Sequence, residues 1–238
     1  ILEHLFYYIF IKFCVLIHTK HQFYDTIYKE KESVMLEELN KLINFIQYEY
    51  LEFNKKWHES HYYSKINLKN NLVCDLLNNE LMLNTIFNYR EFINENNIQL
   101  IMDFKQFNTD FSKVNIRAKT KNSIEYKIKN YVENHEGGKI PIEKCLNDLL
   151  GIRIICSEKL GYEQIKEFVN KNFSNLKCIH SLRQEYKATH IYFKKDNYNF
   201  QWELQVWNSE DEINNILSHE RYKQDYVKWE KENKGGKD

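Results

Sequence analysis

The sequence predicts an α+β fold, a helical N-terminal half followed by a C-terminal half in which strands and helices are mixed. Three observations predict it. Residues 35–111 carry apolar side chains at helical spacing. After Phe111 the apolar runs shorten to six to eight residues and fill with branched and aromatic side chains, the pattern of buried strands. One proline and six glycines in 238 residues leave little room for long loops. The length suits one large domain, or one domain with a helical extension. Apolar residues at 42% and charged residues at 29% are ordinary for a soluble globular chain. Lysine plus arginine equals aspartate plus glutamate, 34 each, which argues against a protein coated in nucleic acid through bulk charge but leaves room for a local basic patch.

Taken in order, residues 1–34 form an uncertain apolar segment. Leu5 to Ile17 is apolar but interrupted by Lys12, too short for a membrane span and without a signal-peptide cleavage site. Met35 opens an amphipathic helix whose face is Leu39, Leu42, Ile43, Ile46 and Tyr50, with Trp57 extending it. A second helical stretch over Leu72 to Phe92 has Leu76, Leu77, Leu81, Leu83 and Phe87 as its apolar set. Residues 35–111 thus form a helical region expected to pack on the domain of residues 112–232, with 233–238 as a tail. In that domain Val114–Lys119 reads as a strand. A helix capped by Asn122 or Ser123 runs to Val132, with Ile124, Ile128, Tyr131 and Val132 on one face. Residues 136–139 with Pro141 form a loop, Leu149–Cys156 a buried strand and Tyr162–Phe173 a helix. Leu176–Ser181, Ala188–Lys194 and Phe200–Trp207 are further strands, and Asp211–Lys231 is a terminal helix. The five cysteines are odd in number and form no CxxC, which points to reduced thiols in the cytoplasm and no zinc.

The chemistry-bearing residues sit in or beside these buried runs, where charge is costly unless paired. Along Phe200–Trp207 the alternation puts Trp202, Leu204 and Val206 on one face and Glu203, Gln205 and Trp207 on the other. A carboxylate beside an amide fits a site, and a solvated edge strand gives the same pattern. His190 and Tyr192 share one face of the preceding strand, in a catalytic or a structural role. Asp148 opens the most apolar strand and Arg153 lies within it. Asp148 could bind Mg²⁺, which takes one or two carboxylates plus phosphate oxygens, or pair with Arg153. Ser123 and Lys127 stand one turn apart on a helix that follows Arg117 and Lys119. Two cations, a helix N-terminus and a lysine one turn in can cradle a triphosphate, although a solvated basic face gives the same spacing. No P-loop and no GxGxxG occurs.

In order, these pieces read R-x-K-x-x-x-S-x-x-x-K (Arg117, Lys119, Ser123, Lys127), D-x-x-G-x-R (Asp148, Gly151, Arg153), Y-K-A-x-H (Tyr186 to His190), E-x-Q-V (Glu203 to Val206) and H-x-x-Y-K (His219 to Lys223). The set resembles the synthetase domain of the RelA/SpoT alarmone synthetase family in its small single-domain form. The resemblance spans Ile116 to Lys223 and implies a mixed five-stranded sheet flanked by helices, related to nucleotidyltransferases, with the N-terminal helices as an extension. It implies transfer of the β,γ-pyrophosphate of ATP to a ribose 3′-hydroxyl, usually of GDP or GTP. Arg117 and Arg153 would then stack on the ATP adenine, while Lys119, Ser123 and Lys127 hold phosphates. Asp148 would bind Mg²⁺, and Glu203 would place the metal or deprotonate the acceptor. Tyr186 would stack on the acceptor base, with His190 and Gln205 lining the acceptor pocket. The partner hydrolase domain of the family uses a His-Asp pair that this chain lacks, so no alarmone hydrolysis is expected.

Two departures bear on the acceptor. Common members follow E-x-Q-I with Arg-Thr, where this chain has Trp207-Asn208, and place Gly before the stacking Tyr, where it has Glu185. The stretch from Trp207 to Trp229 is more similar to toxic small synthetases of toxin–antitoxin modules, some of which pyrophosphorylate the 3′ end of tRNA and halt translation. Three readings follow: a guanosine-nucleotide pyrophosphokinase, the same chemistry on tRNA with an antitoxin as partner, or an inactive nucleotide-binding module. The basic stretch of residues 113–129 could serve ATP alone or also guide an RNA backbone. No membrane partner is expected, and the long helices suit a subunit or antitoxin interface as well as core packing.

Overall fold

The computed structural model describes residues 2–106, 111, 113–157, 159–183 and 185–221, and the side chains within them from residue 29 onward except 97, 98 and 106. The tail, Tyr222, Lys223, Tyr226 and Trp229 therefore lie outside the described residues.

No glycine or proline occurs before residue 137, so nothing local stops a helix early in the chain. The first helix, α1, accordingly runs unbroken over Leu2–Glu59 instead of opening at Met35. Leu39, Leu42, Ile43, Ile46, Tyr50, Phe53 and Trp57 are all buried along one stripe of it. Each such aliphatic side chain contributes about 1.5–3 kcal/mol by leaving water. The helix stops where the Ser60 hydroxyl turns back onto the Trp57 carbonyl at 2.7 Å. The second helical stretch divides, with one turn at Val73–Leu77 and then α2 at Glu80–Gln106. The division falls at Asn79, whose side chain accepts the Met82 N–H at 3.0 Å. Leu77 and Leu81 consequently face solvent, and the buried face of α2 is Ile86, Tyr89, Ile93, Leu100 and Phe104.

The remaining elements are β1 (Lys113–Ala118), α3 (Lys121–Asn134), α4 (Ile142–Cys145), β2 (Leu150–Cys156), α5 (Tyr162–Asn172), β3 (Lys177–Arg183), β4 (Tyr186–Phe193) and β5 (Trp202–Asn208). Residues 212–221 are helical. The cap of α3 is Thr120, one turn earlier than Ser123, whose N–H it accepts at 3.3 Å. Asn122 and Ser123 lie inside the helix. Tyr186 lies within β4, a strand longer at its start than the sequence predicts. The five strands form one mixed sheet in the order β1-β2-β5-β4-β3, parallel only between β2 and β5. The α+β architecture, with its five-stranded sheet flanked by helices and its helical N-terminal region, agrees with the sequence.

Aromatic packing fixes which face of the sheet is core. Trp202 is fully buried, edge-on to Tyr50 and Phe53 of α1 at 5.5 and 5.2 Å, and its indole N–H donates to the Tyr89 hydroxyl of α2 at 3.0 Å. Trp202, Leu204 and Val206 are thereby committed to the helical layer, and strand alternation turns Glu203, Gln205 and Trp207 to the opposite face. Among the described residues four cysteines are free thiols, and no helix is long and apolar enough to cross a membrane.

Candidate active site

The register aligns the chemistry-bearing residues in rows across the sheet face opposite the helical layer. One row runs Arg117, Gly151, Glu203, Tyr192 and the next Asn115, Arg153, Gln205, His190. Strand pairing places these side chains side by side on one surface. Gly151 sits in the middle of the first row. A Cβ there would meet only the Arg117 carbonyl, at 3.9 Å, so the floor next to Gly151, between Arg117 and Glu203, has room for one.

At the end of the sheet where β1 finishes and β2 begins, two lysines converge on one carboxylate. Lys119, just past β1, contacts Asp148 Oδ2 at 2.6 Å, and Lys127 of α3 contacts Oδ1 at 2.9 Å. Lys127 also reaches Asn147 Oδ1 at 3.4 Å. Burial would push the Asp148 carboxyl up, but the charges and hydrogen bonds of Lys127 and Lys119 outweigh it and hold it well below the usual carboxylate range. Burial works against the Lys127 ammonium as well, and Asp148 outweighs that and raises it. For Lys119 burial wins and its pKa is lowered. The partners of Asp148 are therefore these lysines and not Arg153. Ser123 is in the first turn of the helix that carries Lys127. Arg117 stands exposed on β1, with its charge felt by both Lys119 and Arg153.

Glu203 lies mid-face, buried, and accepts three hydrogen bonds: from His190 Nδ1 at 2.8 Å, the Tyr192 hydroxyl at 3.0 Å and Gln205 Nε2 at 2.7 Å. Burial would raise its pKa, and the His190 hydrogen bond and charge, with help from Gln205, lower it instead. Asp148 pushes the other way, so the two carboxylates sense each other. A carboxylate can only accept, which places a proton on His190 Nδ1, and the other ring nitrogen, Nε2, lies 3.2 Å from the Tyr186 hydroxyl. Burial pushes the Tyr186 phenol up to about 12.

The far end of the face is aromatic. The Arg153 guanidinium lies 3.8 Å over the centre of the Trp207 ring, donates from Nε to Gln205 Oε1 at 3.1 Å, and meets His219 Nε2 at 3.0 Å. Tyr186 stands edge-on to both Trp207 and His219.

The fold therefore gathers Lys119, Lys127, Asp148, Arg153, Tyr186, His190, Glu203 and Gln205 onto one face. The basic stretch of residues 113–129 does not stay together. Lys113 pairs with Glu212, and Lys121 lies over the Phe87 ring. The sequence reading did not foresee the bond from Tyr192 to Glu203, though its shared face with His190 was the available signal. It also missed Asn215, a buried clamp on β4 that nothing in the local pattern marks. Two clefts, one between α1 and α5 and one lined by Tyr162, His180 and Asp211, contain none of these site residues.

No protein-family model and no curated protein matches this chain. Among solved structures it is similar to small alarmone synthetase 1 from Bacillus subtilis, with a TM-score of 0.39 and 16% identity over 62% of this chain and 82% of that one. The same enzyme bound to its product pppGpp aligns with a TM-score of 0.37 and 17% identity, covering 61% and 83%. A GTP pyrophosphokinase family protein from Streptococcus pneumoniae aligns with a TM-score of 0.37 and 18% identity, covering 56% and 72%.

Proposed function

We propose that this protein is an ATP-dependent pyrophosphokinase that acts on a ribose 3′-hydroxyl of GDP or GTP. The observation that carries the reading is the convergence of buried Lys119 and Lys127, from two separate elements, on the ionised Asp148, within electrostatic reach of Glu203. Cations so placed can pass from the carboxylate to the phosphates of a nucleotide, and phosphoryl-type transfer needs mainly such positioning and charge neutralisation. Arg117 and Arg153 flank the floor at Gly151 and would take the ATP adenine. Ser123, in the first turn of α3, would add a phosphate contact. The 3′-oxygen bonds to the β-phosphorus as the bridge to the α-phosphate breaks, AMP leaves, and the hydroxyl proton passes to the Glu203–His190 pair. Tyr186, at the His190 end of that pair, would stack on the acceptor base, and Gln205 would hold Glu203 in place. Two carboxylates held ionised and within electrostatic reach of each other suit Mg²⁺, so Asp148 and Glu203 would hold it. The ion would supply further neutralisation of phosphate charge.

A second reading keeps the chemistry and changes the acceptor to the 3′ end of tRNA, as in toxic small synthetases held off by an antitoxin. It is favoured by Trp207, which stands where common members of the resembled family carry arginine, and by Arg153, whose Nε and one terminal nitrogen are already engaged. Incubation with Mg²⁺, γ-labelled ATP and either GDP, GTP or deacylated tRNA separates the two. Label on GDP or GTP is expected from the first reading, and label on tRNA alone would replace it with the second. No label on any acceptor would refute both and leave a non-enzymatic nucleotide-binding module.

A further inference from the structure

Arg153 is one of two arginines assigned to the ATP base, and the structure shows what orients it. Its guanidinium is held from below by the Trp207 ring at 3.8 Å and from the side by Gln205 Oε1 and His219 Nε2. His219 in turn stacks on Trp207, with ring centres 5.6 Å apart and planes at 22°. His219 is fixed by the segment that carries it. Asn215, fully buried one turn earlier, accepts the Lys187 N–H and donates to the Lys187 carbonyl, both at 2.8 Å, which clamps residues 212–221 to β4. Trp207 is itself 1% exposed, packed with Ile155, Ala188 and Tyr186.

We propose that Trp207 and His219 are positioning residues that turn Arg153 into a flat cationic platform for the nucleotide base. The proposal rests on the pyrophosphokinase reading. A guanidinium free to rotate would serve equally as a phosphate clamp, since its donors suit either use. With one face on an indole and two of its nitrogens engaged by Gln205 and His219, the guanidinium is held flat, the orientation in which its opposite face would stack on a planar base. The platform therefore recognises the base of the nucleotide and not its phosphates. That division distinguishes it from general damage to the site.

The test compares two ligands, an ATP analogue with a methylene bridge between the α and β phosphates and inorganic tripolyphosphate, each titrated with Mg²⁺ into the full chain. Wild type is expected to bind the analogue more tightly, the difference being the contribution of the nucleoside. His219→Ala, at a half-buried position, should weaken the analogue about tenfold and leave tripolyphosphate unchanged within about twofold. Trp207→Leu should do the same, and Trp207→Phe, which keeps a ring under the guanidinium, should retain affinity within about threefold. Parallel weakening of both ligands, no weakening of either, or a wild type that does not prefer the analogue would overturn the positioning role while leaving pyrophosphate transfer standing. A wild type that binds neither ligand would end the pyrophosphokinase reading and this inference with it.

Discussion

Replacing Asp148 by Asn tests the lysine–carboxylate cluster most directly, because it removes the charge and keeps the shape. In the native protein the side chains of Lys119, Lys127 and Asp148 are 6, 15 and 21% exposed. The substitution leaves two largely buried ammonium groups facing a neutral amide. Removing one partner of a buried pair costs about 3–5 kcal/mol, and the residual exposure of Asp148 puts this case near about 3. For a chain of this size each kcal/mol moves the thermal midpoint by about 2–4 °C, so the expected drop is about 6–12 °C. The dependence on pH has a definite sign. The native Asp148 carboxyl is held below the ordinary range, so its contribution is fully present above the unfolded-state pKa of about 3.9 and fades as pH falls below it. The gap between wild type and Asp148→Asn should therefore narrow below about pH 4. Thermal unfolding followed by circular dichroism from pH 7 to 3 measures both effects. A midpoint shift under about 2 °C at pH 7, or a gap that stays constant to pH 3, would refute the cluster's role as a buried charge network. The same variant should lose pyrophosphate transfer, and retained transfer would remove Asp148 from the machinery.

Gly151→Ala places a Cβ on the floor without straining the strand, so stability should change by less than about 1 kcal/mol. Nucleotide affinity should fall at least about tenfold by calorimetry, and an unchanged affinity would show that ligand does not cross Gly151. Tyr186→Ala should abolish transfer while ATP binding stays within about threefold, and lost ATP binding would refute its acceptor-side role. Glu203→Gln removes the anion that His190 and Tyr192 both hold, and a transfer loss of about a hundredfold or more is expected in single-turnover assays. Activity near wild type would exclude Glu203 from proton transfer. Trp202→Ala deletes the hub joining α1, α2 and β5, so the urea midpoint should reflect about 3–5 kcal/mol of lost stability, and a loss below about 1 would contradict that role.

Much of this site is legible as local pattern. Alternation along residues 202–207 determines that Glu203 and Gln205 oppose Trp202 and Leu204, because a strand turns successive side chains to opposite faces whatever its neighbours. Apolar residues at helical spacing over 35–111, with no glycine or proline to interrupt them, determine that the N-terminal half is helical, although the cap at Asn79 divided a stretch that spacing alone made continuous.

Pairing across the sheet is different. That Asp148 meets Lys119 and Lys127 instead of Arg153 depends on where the start of α3 lands against the mouth of β2, a contact between residues 21 to 29 positions apart. The sequence supplied the charged clusters and their order, since residue type and period are local properties. Only the tertiary structure decided which charge neutralises which, and that Trp207 and His219 orient Arg153, because those choices rest on register between β2 and β5 and on a helical segment clamped by Asn215, contacts between residues far apart in the chain.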